Sequence, residues 1–147
     1  MLKAGRELGP ERKGNAYVFK VMLSGRVWRR FKLSSLHTMH ELHLAIMDAF
    51  HLDDGHLYAF FMDGKPWSNK AIWDPRAEDR PRADEAVIER LQLREGQRIL
   101  YLYDYGDENR LDVRVDEILQ EDASPLRPMV IEKKGEPPEP YFDWDEE

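Results

Sequence analysis

The 147-residue sequence predicts an α+β domain: a roll with a largely antiparallel sheet and one main helix packed on it. Three observations predict it. Apolar residues recur with a period of two in several short stretches, clusters of Gly, Asp and Ser separate those stretches, and one segment has both the cap and the apolar stripe of a helix. The sequence divides into a flexible leader over 1–14, one domain over 15–134 and an acidic aromatic tail over 135–147.

The leader holds Gly5, Gly9, Pro10 and Gly14 among charges and no apolar period. From Asn15, the residues Tyr17, Phe19, Val21 and Leu23 alternate with Val18, Lys20 and Met22, and Ser24-Gly25 turns the chain into a second strand, Val27 to Leu33. In that strand Val27, Arg29, Phe31 and Leu33 share one face while Trp28, Arg30 and Lys32 share the other. Arg29 therefore points inward. A buried guanidinium needs a carboxylate or several carbonyls, and Asp104 or Asp107 is the carboxylate expected; the alternative places Arg29 at a twisted edge.

Thr38-Met39-His40-Glu41 fits the capping box, and Met39, Leu42, Ile46, Ala49 and Phe50 form a core stripe on a helix from Thr38 to about Phe50, with His43 flanking it and His40 at its rim. His51-Leu52-Asp53-Asp54-Gly55 ends the helix, and His56 to Met62 reads as a strand. Trp67 to Pro81 has no period and reads as a surface excursion. Asp84 to Leu91 reads as a short helix with Ala86, Val87 and Leu91 inward. The strand Arg98 to Tyr103 then runs into the turn Asp104-Tyr105-Gly106-Asp107, and Leu111, Val113 and Val115 alternate with Asp112, Arg114 and Asp116. Met129-Val130-Ile131 offers a last strand before the tail, whose Tyr141, Phe142 and Trp144 are expected to pack back on the domain.

Composition narrows the function. Without cysteine there is no disulfide, thiolate metal site or cysteine nucleophile. No apolar run approaches the roughly 20 residues of a membrane span, so the expected setting is cytoplasmic. A net charge of −7 argues against a nucleic-acid partner, since phosphate binding needs clustered cations. The partner expected is a protein or small molecule, and the chain a monomer or weak homodimer.

In order along the chain, Trp28-Arg29-Arg30, Leu42-His43, His56-Leu57-Tyr58-Ala59-Phe60, Tyr103-Asp104-Tyr105-Gly106-Asp107 and Pro137-Pro138-Glu139 stand as a set. Over about residues 16–141 this set resembles the Ri-plasmid open-reading-frame-three-like family. The resemblance implies a small α+β roll of the kind found in bacteria, archaea and mobile elements, some as insertion-sequence passenger proteins, in a family mostly without assigned activity. Where that family has a tryptophan and a histidine after Gly-Asp, this chain has Asn109, Arg110 and Leu111, and Pro140-Tyr141 replace the Asp and glycines after Pro-Pro-Glu.

Two functions follow, in different classes. The preferred one is a non-catalytic binding or accessory module, with no cofactor, whose binding residues are Trp28, Arg29, Arg30, Tyr103 and Tyr105, and whose groove adds Trp67 and Trp73. The alternative is a metal-assisted hydrolase or nuclease-like enzyme with a divalent metal. His40, His43 and His56 would be its ligands and Asp104 and Asp107 its acid/base pair. All 5 histidines fall between His37 and His56, but their spacing lacks the His-Glu-x-x-His pattern. Turn chemistry also explains Asp-Tyr-Gly-Asp, with Gly106 supplying a positive φ. Convergence of His43, His56, Asp104 and Asp107 in one pocket would favour the enzyme.

Overall fold

The computed structural model describes residues 14–123 and 126–137. Among these, seven strands form one antiparallel sheet in the order β4-β3-β5-β6-β1-β2-β7. They are β1 Gly14–Ser24, β2 Val27–Ser34, β3 Tyr58–Phe61, β4 Ala71–Trp73, β5 Arg98–Tyr103, β6 Asn109–Ala123 and β7 Met129–Lys134. The helix α1, Met39–Phe50, and two short 3₁₀ turns, Ala83–Glu85 and Ile88–Arg90, pack on one face. The fold is α+β, dominated by the sheet. No helix among the described residues is long and apolar enough to cross a membrane.

The predicted capping box holds α1. The Thr38 hydroxyl accepts the Glu41 amide at 3.2 Å, and the Glu41 carboxylate accepts the Thr38 amide at 2.8 Å, so two amides that the helix leaves without partners are satisfied. His51 ends it in the left-handed region at φ 59°. Of the predicted stripe, Met39, Leu42, Ile46 and Phe50 are buried, each such side chain contributing roughly 1.5–3 kcal/mol, and Ala49 is half-buried. Against them lie Phe19, Phe31, Tyr58, Phe60, Tyr101 and Val113 from five strands.

The sheet is more extensive than the sequence suggests. The first strand begins at Gly14, where a Cβ would run into the Ser35 hydroxyl, so glycine lets Ser35 close on the strand. The rest of the expected leader, 1–13, and the tail beyond Pro137 lie outside the described residues. The excursion from Trp67 to Pro81 contains β4, whose Ala71 and Ile72 are buried against β3. The strand expected from His56 starts at Tyr58, and His56 sits in a bend before it. The short helix from Asp84 is two 3₁₀ turns, with Ala86 and Ile88 buried and Val87 and Leu91 half-buried. In β6, pairing with β1 continues well past Asp116 to Ala123 through two register shifts that break the period.

Arg29 is buried, as the alternation requires, but its partners are backbone carbonyls. It donates to Trp28 O at 2.9 Å and Lys134 O at 3.0 Å, and its guanidinium lies 5.5 Å from the Phe50 ring centroid. Asp104 and Asp107 follow β5, on the far side of β6 and β1 from Arg29.

Candidate functional site

The residues singled out for chemistry fall into three places. The first is a buried polar cluster between α1 and the β3–β5 pair. His43 is 1% exposed rather than flanking, its ring stacked on Tyr58 at 3.6 Å between centroids with Nδ1 2.9 Å from the Tyr101 hydroxyl. One turn earlier, His40 Nδ1 lies 2.6 Å from the Tyr58 hydroxyl. Burial, then the His40 neighbour, lowers His43 to about 3, so it is neutral near pH 7. Burial likewise raises the Tyr58 and Tyr101 phenols, which stay protonated. His43 and the two phenols thus form a polar cluster within the core, with the neutral imidazole stacked on Tyr58 and bonded to the Tyr101 hydroxyl.

A residue pair the sequence reading missed borders this cluster. The buried Asp74 carboxylate accepts the Tyr58 amide at 3.3 Å and the Arg76 amide at 2.8 Å, and Arg76 clamps it with Nε at 3.2 Å from each oxygen. Burial works to raise Asp74, and the Arg76 contacts outweigh it and hold the carboxyl below its ordinary range. Arg76 also donates to Asp54 O and His56 O, both at 2.9 Å, fastening the post-helix loop. With His40 and Asp84 these groups line a cleft of ≈ 290 Å³. The only signal for the pair was Asp74-Pro75-Arg76 inside an aperiodic stretch.

The second place is the acidic turn. Asp104, at φ 71°, accepts the amides of Gly106 at 3.0 Å and Asp107 at 3.3 Å. Asp104 and Glu108, not Gly106, take the left-handed conformation, an arrangement that Asp tolerates because its side chain caps the following amides. His56 pairs with Asp104 at 3.3 Å, Asp107 is exposed, and Tyr103 donates to Asp53 O. His43 and His56 thus serve separate neighbourhoods. Among the described residues no group of three or more His, Asp or Glu is placed to hold a metal ion.

The third place is the sheet face turned away from α1. At its β4-β3-β5 end, Trp67, Trp73, Tyr105 and Phe61 pack ring on ring, Trp67 lying 5.6 Å from Phe61, 6.3 Å from Trp73 and 5.4 Å from Tyr105. Ala59, Ala71, Leu100 and Leu102 form the floor, and the Tyr105 hydroxyl anchors to Tyr58 O at 2.7 Å. Trp67 is 46% exposed and sits at φ 61°, a conformation a bulky residue rarely takes. No helix among the described residues covers this face.

Trp28 and Arg30 share this face but not this patch. Register runs Phe61, Leu100, Asp112, Met22, Trp28 across the sheet, four strand steps or about 19 Å. The single groove expected from Trp28, Arg30, Trp67 and Trp73 is therefore two regions. Lys20 covers the Trp28 ring at 4.3 Å, and Arg30 donates to Asp116 at 3.0 Å, Glu117 at 2.7 Å and Glu132 at 3.0 Å. Burial alone would lower the Arg30 guanidinium; its carboxylate partners outweigh it.

A crystal structure described as a protein of unknown function, MM3350 from Methanosarcina mazei Go1, superposes with a TM-score of 0.65 at 24% identity, over 83% of this chain and 71% of that one. That likeness concerns the fold alone. No curated protein matches the chain. The family described as plasmid pRiA4b ORF-3-like protein matches residues 15–141, nearly the whole length, and the chain belongs to that family.

Proposed function

We propose that this protein is a non-catalytic binding module, working in the cytoplasm as an accessory of mobile elements, whose ligand is an extended, proline-containing segment of a protein partner. The sheet, on this reading, is a roll around α1 with its binding face outward. One observation carries the reading: Trp67 is held half-exposed, in a left-handed conformation, within a four-ring group on an uncovered sheet face. Such a conformation costs on the order of 1–3 kcal/mol and is retained where the surroundings or a function require it. Trp67 is braced edge-on against Tyr105 at 80°, and buried Phe61 backs it, so an exposed aromatic ring is held in place, a surface of the kind on which proline rings pack. The plasmid association in the family's description supports the mobile-element setting.

The test is a panel of proline-rich peptides followed by tryptophan fluorescence, with Trp67→Asn as the control. Asn tolerates positive φ and lacks the ring. The expectation is saturable binding to wild type, weakened at least ~10-fold in the variant, as loss of an aromatic anchor should do. Absence of binding across the panel, or equal affinity in the variant, overturns the assignment.

A further inference from the structure

The loop that carries Trp67 holds it in a conformation that bulky residues avoid. It joins β3 to β4, and its base is closed by the Met62 amide, which donates to Lys70 O at 2.9 Å. Gly64, at φ 77°, lays the chain against β5, where a Cβ would stand 3.3 Å from Arg98 O. Between these anchors Lys65-Pro66-Trp67-Ser68 makes one turn, with the Ser68 amide donating to Lys65 O at 3.3 Å and Trp67 at φ 61°. Proline at the second position and a positive φ at the third is the type II pattern, whose third position normally takes glycine or asparagine. Here it takes tryptophan.

Side chains fasten this turn on both sides. The Asp63 carboxylate accepts the Lys65 amide at 3.1 Å and the Ser68 hydroxyl at 2.8 Å, and the Ser68 hydroxyl oxygen accepts the Lys70 amide at 3.2 Å. A chain of bonds therefore crosses the loop from the residues after β3 to those before β4, with Trp67 beside its middle member. Ring contacts alone do not lock the indole, because Trp67 keeps 46% of its surface exposed. Without the side-chain bonds residue 67 is free to relax to a negative φ, which redirects its Cα–Cβ bond and takes the ring away from Trp73 and Tyr105.

We propose that Asp63 and Ser68 are positioning residues, a latch that holds Trp67 in its outward posture before any ligand arrives. The inference rests on the reading of Trp67 as a binding anchor and adds how the affinity of that anchor is set. A pre-organised ring loses little freedom when a partner packs on it, so the latch strengthens binding without touching the ligand.

Trp67 and Trp73, 6.3 Å apart and inclined at 31°, are close enough for their indoles to couple. The posture can thus be read without a ligand, as the exciton couplet in far-ultraviolet circular dichroism that Trp67→Asn removes. Ser68→Ala and Asp63→Ala should each lose most of that couplet and bind the proline-rich peptide about 3- to 10-fold more weakly, the equilibrium weight of one hydrogen bond. Ser68→Thr, which keeps the hydroxyl, and Asp63→Asn, which keeps the acceptor oxygen, should restore both. A couplet unchanged in the two alanine variants overturns the proposal, and so does an unchanged affinity in them where wild type binds. If no peptide binds wild type, the function proposed for the patch fails, and the couplet still decides whether Asp63 and Ser68 hold the ring.

Discussion

The two faces of the sheet use similar residue types to opposite ends. On the α1 face His40, His43, Tyr58 and Tyr101 are joined to one another, and Asp74 is closed off by Arg76. On the other face, Trp67, Trp73 and Tyr105 meet one another but present a ring to water. The titratable groups that look most like chemistry thus have hydrogen-bond partners within the fold. An unmet surface, rather than a reactive group, is where a partner has most to gain.

The largest effect expected from breaking this contrast is on the covered face. Arg76→Ala leaves a buried carboxylate without its counter-ion and should destabilise the protein by about 3 kcal/mol, the lower part of the range for buried pairs because Arg76 is itself half-exposed. Urea denaturation measures it, and a loss under about 1 kcal/mol would move the pair to the surface class.

His43 gives a pH signature. Its folded value, about 3, lies below its unfolded value, so between about pH 6.5 and 3 the unfolded chain binds the extra proton. Stability should be full above pH 6.5 and fall by up to about 1.4 kcal/mol per unit as the pH drops through that window. His43→Phe should flatten the slope between pH 7 and 5, and an unchanged slope would show that another group titrates there.

On the open face the same measurement should barely respond. Trp67→Asn gives up part of a ring contact but relieves an unfavourable φ, so its stability should stay within about 1 kcal/mol of wild type while peptide binding drops. Asp107→Asn, exposed at the hairpin turn, should change stability by no more than about 0.5 kcal/mol. A large stability loss in either variant would erase the distinction between the faces.

Most of the strands and the single long helix were legible because their signals are local. Thr38 and Glu41 announce the cap, alternation marks β1, β2 and the first half of β6, and unbroken apolar runs mark β3 and β5. Two kinds of feature were hidden. The short strand β4, flanked by Trp67 and Pro75, is a strand because Tyr58–Phe61 pairs with it, and no local period records that. The later half of β6 follows β1 through register shifts, which scramble alternation. For the site, alternation was enough to bury Arg29, but choosing carbonyls over Asp104 as its partners depended on strand order, which no single segment encodes. His43 lay deeper than its helical position suggested because Tyr58 and Tyr101 supply polar company inside the core.

The pairing of β1 with β6 has a consequence for how the protein is made. The interior of the sheet joins Gly14 to Ala123, positions separated by most of the described chain. During synthesis the β1–β2 hairpin can form early, but the edge of β1 that β6 will occupy stays open until nearly all of the domain has left the ribosome. Contacts of such long range close slowly, because chain entropy must be lost before they stabilise anything. The nascent chain therefore passes through a stage in which an almost complete domain still carries a bare strand in what will become the interior of its sheet.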